Sequence, residues 1–150
     1  MDQIAIVGST TWGTTLAIIN SVEGKDVSLL VRTKSESEAL RENRENKRFI
    51  PGTVLPANLK ISSDVQKVIP KTNLILVAVP SQTLRQNIRS ISSYISRSTV
   101  VVSASKGLEV SSGMRMTEII KEEVPVLPPD NICAISGPCL LYTSPSPRDS

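Results

Sequence analysis

Gly8-Ser9-Thr10-Thr11-Trp12-Gly13 follows the apolar run Ile4-Ala5-Ile6-Val7 directly and leads into a helix-forming segment. A glycine-rich turn between a strand and a helix can cradle phosphates, because the first amides of a helix have no partner within it. In the G-x-G-x-x-G fingerprint the first glycine makes the tight turn and the second lets backbone approach a diphosphate. The third allows close helix–strand packing. Here Gly8 and Gly13 hold the first and third places, while Thr10 puts a Cβ where the diphosphate passes. On these six residues alone, a plain strand–turn–helix without a ligand accounts for the pattern equally well.

Three further positions bear chemistry. Arg32 closes the second apolar run, Val27–Val31, with Lys34 nearby. In a dinucleotide-binding fold an acid at this place takes a ribose 2′-hydroxyl and a base suits a 2′-phosphate, so Arg32 leans toward NADPH over NADH. The plain alternative is a solvated strand-end arginine. Lys106, in Ser103-Ala104-Ser105-Lys106-Gly107-Leu108-Glu109, follows another strand and can hold a phosphate or polarise a carbonyl. It can equally be a surface lysine in a glycine turn. Val77-Ala78-Val79-Pro80-Ser81-Gln82 ends a strand in a rigid loop, with Ser81 expected to cap the next helix. Phe49 reads either as an aromatic stacking on an adenine or as a core plug. Cys133 reads as an inert buried thiol, and the charged run Arg41–Arg48 as a solvated helix face.

The elements that must position these residues alternate. Strands are expected at Ile4–Gly8, Val27–Val31, Leu59–Ile61, Asn73–Val79, Thr99–Ser103 and Asn131–Ile135. Helices are expected at Trp12 to about Glu23, Ser35–Asn46, Ser63–Val68, Ser81 to about Ile95 and Met114–Glu123, with a turn at Phe49–Gly52. Apolar strands between helices predict an α/β fold, a doubly wound and mainly parallel sheet covered on both faces.

Composition narrows the chemistry. The 150 residues fit one domain, with 17 Lys+Arg against 14 Asp+Glu. That net charge of +3, scattered and with 3% aromatics, argues against nucleic acid. With no histidine, Ser-His-Asp and Cys-His catalysis and histidine-ligated zinc are excluded, and no metal site is expected. Two cysteines make no disulfide framework. No apolar run reaches membrane-spanning length and no signal pattern opens the chain, so no membrane insertion and a cytoplasmic location are expected.

Six segments in order carry a resemblance: Gly8…Trp12-Gly13-Thr14; Arg44-Glu45-Asn46-Lys47-Arg48-Phe49-Ile50-Pro51-Gly52; Leu55-Pro56; Ala78-Val79-Pro80-Ser81-Gln82; Ser103–Glu109; and Ser136-Gly137-Pro138. Together they resemble bacterial NAD(P)-dependent glycerol-3-phosphate dehydrogenase over residues 3–138. The resemblance implies a Rossmann-like cofactor domain of an oxidoreductase. It also implies reduction of dihydroxyacetone phosphate to sn-glycerol 3-phosphate for phospholipid biosynthesis. It places Gly8, Thr11, Trp12, Gly13, Arg32, Phe49 and Lys106 at the cofactor, and Lys106 and Gly137 at the substrate. It puts the acid/base lysine in a helical domain beyond residue 138, implying an inactive fragment of a parent that is often a homodimer.

Residues Cys139–Ser150 resemble a sequencing adapter translated in frame (CLLYTSPSPRD), so the natural domain is expected to end its legible part at residue 138. Two other readings remain at this stage. One is a stand-alone nucleotide-binding regulatory module, which a natural Pro/Ser-rich tail would favour. The other is a different Rossmann-type reductase of the 6-phosphogluconate or ketopantoate kind.

Overall fold

The computed structural model describes residues 3–135. In chain order the elements are β1 (Gln3–Val7), α1 (Thr11–Val22), β2 (Asp26–Leu30), α2 (Lys34–Asn43), β3 (Glu45–Asn46), β4 (Ile50–Val54), β5 (Lys60–Ser62), α3 (Val65–Val68), β6 (Leu74–Val77), α4 (Leu84–Ile91), β7 (Val100–Ser103), α5 (Met116–Glu123) and β8 (Ile132–Ala134). Six strands form one sheet in the order β5-β2-β1-β6-β7-β8, and every pairing in it is parallel.

The sheet is parallel because its strands are apolar on both sides. Side chains alternate across a strand with period two. In β1, Ile4 and Ile6 enter one core with Leu29 and Leu76, under Ala17 of α1 and Leu40 of α2. Ala5 and Val7 enter the other with Ile75 and Val77, under Ile88 of α4 and Ile119 of α5. Both faces are thus covered by helices, the doubly wound arrangement the sequence predicts. The chain runs outward from β1 to β2 and β5, then returns to β6 and runs out the other way. Ligands of open α/β sheets bind at the carboxyl ends of the strands where that direction reverses. Here that point lies between β1 and β6.

Five local expectations are corrected. The helix expected to reach Asn46 stops at Asn43, because Arg44 takes a left-handed φ of 51° and ends it. The Arg44 guanidinium donates to the carbonyls of Pro56 and Leu59, so it ties α2 to the chain beyond rather than facing solvent. The expected turn at Phe49–Gly52 is instead largely strand: β4 pairs antiparallel with β3 as a hairpin.

Ser81 does not cap a helix. Pro80 holds an extended φ/ψ of −56°/140°, Ser81–Thr83 form a tight 3-10 turn, and α4 begins at Leu84. Cys133 is exposed, not buried. Among the described residues its strand β8 is the sheet edge and bonds to β7 alone, so the apolar run around it is not sandwiched.

Candidate functional site

The glycine-rich turn folds tightly onto the end of β6. Gly8 has a φ of 114°, and a Cβ on it would lie 2.4 Å from the Ala78 carbonyl oxygen. A Cβ on Gly13 would lie 2.1 Å from the Gly8 carbonyl oxygen. Both glycines are therefore required by close backbone approach, the roles of the first and third fingerprint glycines.

Thr10 is different. Its φ of −66° and ψ of 174° suit any residue, and it is the N-cap of α1. Its hydroxyl accepts from the Gly13 amide at 3.1 Å and donates to the Ala78 carbonyl at 2.8 Å. The side chain is thus bonded into the protein. The amides of Thr11 and Trp12 remain at the start of a twelve-residue helix, where a phosphate is favoured. The residues present fit the diphosphate of a dinucleotide.

The β3–β4 hairpin is docked on this turn. Asn46, buried, donates from Nδ2 to the Ser9 carbonyl at 2.8 Å and to the Thr14 hydroxyl at 2.9 Å. The Thr11 hydroxyl donates to the Phe49 carbonyl at 3.3 Å. Sequence reasoning missed Asn46, because it reads as one more polar residue in a charged run. Replacing Asn46 by alanine is expected to lower stability by about 1–3 kcal/mol, since it removes two hydrogen bonds from a buried site and leaves the Thr14 hydroxyl and the Ser9 carbonyl bonded to each other. Urea unfolding of the variant measures this.

Beside the turn lies a cleft of about 440 Å³, whose lining includes Gly8, Thr10, Arg32, Glu36, Arg48 and Phe49. Phe49 is half-buried at this cleft and belongs to neither core cluster, so it is not a core plug. The Arg48 guanidinium sits 5.1 Å from the Phe49 ring centroid, a cation–π distance. Arg32 is exposed at the rim. Glu36 accepts a hydrogen bond from the Ser9 hydroxyl at 2.5 Å. Thr33 fixes Glu36 in the first turn of α2 by accepting its amide at 3.1 Å. Neither Glu36 nor Arg48 stood out in the sequence.

Of the other expected cofactor residues, Thr11, Trp12 and Gly13 form the first turn of α1 outside the cleft lining. The Trp12 Nε1 is buried and has no hydrogen-bond partner among the described residues. Lys106 is exposed on the loop after β7 and also stands outside that lining. Gly137 lies outside the described residues, as does the segment 139–150.

The loop carrying Lys106 is held from three sides. The Ser105 hydroxyl donates to the Val79 carbonyl at 2.5 Å and accepts from the Val79 amide at 3.2 Å. Gln82 grips the backbone with both ends of its amide: Nε2 donates to the Leu108 carbonyl at 3.0 Å, and Oε1 accepts from the Val110 amide at 2.9 Å. Arg85 of α4 donates through Nε and Nη2 to the two Glu109 oxygens, at 2.9 Å each. The Arg85 guanidinium, then the Ser112 hydroxyl, hold the Glu109 carboxyl below the usual carboxylate range. The loops after β6 and β7, two separate motifs in the sequence, are one bonded unit at the carboxyl edge of the sheet.

A six-stranded parallel sheet with a glycine turn, a basic residue closing β2 and a cleft at the reversal point defines a dinucleotide-binding domain. The family model for the N-terminus of NAD-dependent glycerol-3-phosphate dehydrogenase matches residues 3–141, and the chain belongs to that family. It is 39% identical over 136 residues to the glycerol-3-phosphate dehydrogenase (NAD(P)+) of Chlorobium luteolum, covering 91% of this chain and 41% of the relative. It is 36% identical over 141 residues to that of Dehalococcoides mccartyi, covering 93% and 39%. The crystal structure of glycerol-3-phosphate dehydrogenase from Coxiella burnetii superposes with a TM-score of 0.82 at 27% identity, over 95% of this chain and 42% of that one. The chain spans about two fifths of the length of the relatives it matches.

Proposed function

We propose that this chain is the cofactor-holding part of a dehydrogenase that interconverts dihydroxyacetone phosphate and sn-glycerol 3-phosphate, supplying glycerophospholipid synthesis in the cytoplasm. The carrying observation is the cleft at the β1/β6 reversal, where the glycine turn and Arg32 face one space. The Thr11 and Trp12 amides would hold the diphosphate. Arg32 would meet a 2′-phosphate, favouring NADPH over NADH. Phe49 offers a face for the adenine. When bound, the nicotinamide cofactor supplies the hydride.

Lys106 is the residue proposed to meet both cofactor and substrate, its ammonium polarising the ketone oxygen. Gly137 is proposed to lie near the same substrate. Ketone reduction also requires a proton for the developing alkoxide. The family resemblance assigns that proton to a lysine outside this sequence. A homodimer is proposed for the full enzyme.

Trp12 is the sole tryptophan and lies in the first turn of α1, so it reports on its own site. Titrating the purified 150-residue chain with NADPH is expected to quench Trp12 fluorescence saturably. Addition of dihydroxyacetone phosphate is expected to cause no steady NADPH oxidation. A folded chain whose fluorescence and heat of mixing show no NADPH or NADH binding overturns the reading, and sustained turnover overturns its second half. Among the described residues no helix is long and apolar enough to cross a membrane.

A further inference from the structure

The charged side chains lining the cleft, among the described residues, are Arg32, Arg48 and Glu36. Two of these three are unexpected. In dinucleotide folds the acid that takes the adenosine ribose hydroxyls closes the second strand. Here Arg32 occupies that place, and the carboxylate comes from Glu36, one turn into α2. The Thr33 cap fixes the backbone of Glu36, and the Ser9 hydroxyl holds Oε2 over the glycine turn. Among the described residues, Oε1 takes no hydrogen bond and the carboxylate has no ion pair within 4 Å. An acceptor is thus presented to the cleft, fixed at one oxygen and open at the other.

Arg48 lines the same cleft from the β3–β4 hairpin. The hairpin that carries it is pinned to the turn by Asn46 and Thr11, and its guanidinium rests against Phe49. Among the described residues it too has no carboxylate within 4 Å.

We propose that Glu36 and Arg48 set the cofactor preference of this cleft in opposite directions: Glu36 accepts the adenosine ribose hydroxyls of NADH, and Arg48 joins Arg32 around the 2′-phosphate of NADPH. This rests on the dinucleotide reading above and deepens it. A 2′-phosphate carries nearly two negative charges at neutral pH. It gains from two guanidinium groups and loses from a carboxylate held in the same space. An unmodified ribose offers that carboxylate donors and offers the arginines only neutral hydroxyl acceptors. The cleft therefore accepts both cofactors, with the balance held by two residues on separate elements.

Equilibrium titrations of the whole 150-residue chain with NADH and with NADPH, followed by Trp12 fluorescence, test this. Glu36→Gln is expected to weaken NADH about tenfold while NADPH binds as well or more tightly. Arg48→Met is expected to weaken NADPH about tenfold with NADH within about twofold. Urea unfolding of each variant confirms that it folds.

If Glu36→Gln weakens both cofactors by one factor, Glu36 only braces the turn and the proposal is wrong. An unmoved ratio in a chain that binds both cofactors overturns this proposal alone. A folded wild-type chain that binds neither overturns it together with the dinucleotide reading.

Discussion

Gly13→Ala is expected to cost about 4 kcal/mol or more, enough to leave a domain of this size largely unfolded. The new Cβ would stand 2.1 Å from the Gly8 carbonyl oxygen, and something must move. Little there can. Gly8 donates its amide to the Leu30 carbonyl at 3.1 Å, which ties it to β2. On its other side it lies so close to β6 that its own Cβ would meet the Ala78 oxygen at 2.4 Å. The first turn of α1 is fixed in turn by Thr10, bonded to both Gly13 and Ala78. Relief requires lifting α1 from the sheet, which opens the core around Ala17. Gly24→Ala is the matched control. Its φ of 87° also disfavours a side chain, but nothing lies within 4 Å. Only the conformational cost of about 1 kcal/mol applies there. Urea unfolding followed by circular dichroism distinguishes the two. A Gly13→Ala chain within about 1 kcal/mol of the parent would mean that the turn is far softer than its contacts state.

The same contrast explains what the sequence reveals. The places of Gly8, Arg32 and the loop of Lys106 in the fold are legible because each follows a buried apolar strand, and such strands announce themselves by composition; Gly13 is legible by its spacing from Gly8. Local structure then follows from neighbours in sequence. Glu36 and Asn46 are not legible, because their significance comes from partners 27 and 37 residues away, and Arg48 is not, because its place at the cleft depends on how the hairpin docks on the glycine turn. The hairpin that delivers two of them has a first strand only two residues long, too short for any periodicity to show. Cys133 fails for another reason. An apolar run reads alike in a central strand and an edge strand, and only the sheet order tells them apart. The pairing of Gln82 and Arg85 with the loop of Lys106 needs β6 and β7 to be neighbours before it can be seen.

That last pairing carries the remaining large effect. Arg85 binds Glu109 on the loop and Glu122 and Glu123 on α5, while Arg89 donates to Glu123 at 2.8 Å. Glu109 and Glu123 are largely shielded from solvent, so removing their partner leaves carboxylates with poor alternatives. Arg85→Met is therefore expected to lower the urea midpoint at neutral pH markedly, and more than Arg89→Met, whose side chain among the described residues pairs with Glu123 alone and stands mostly in water.

The sign of the pH dependence follows from the depressed carboxyls. Arg89, then Arg85, holds Glu123 at about 2 against an ordinary 4.5. Arg85, then Ser112, holds Glu109 below the same value. A carboxyl whose folded pKa is depressed binds fewer protons folded than unfolded, so its stabilisation is full above about 4.5 and is lost as pH falls toward 2. The parent chain should lose stability steadily across that window. Arg85→Met starts lower and falls less, because Glu109 no longer titrates from a depressed value, and the two curves should converge at the acid end. Arg89→Met should flatten the same window through Glu123 alone. Parallel curves for parent and Arg85→Met from pH 7 to pH 2 would show that the guanidinium contributes packing and not charge. In that case the Lys106 loop is held by Gln82 and Ser105, whose bonds involve no ionisable group.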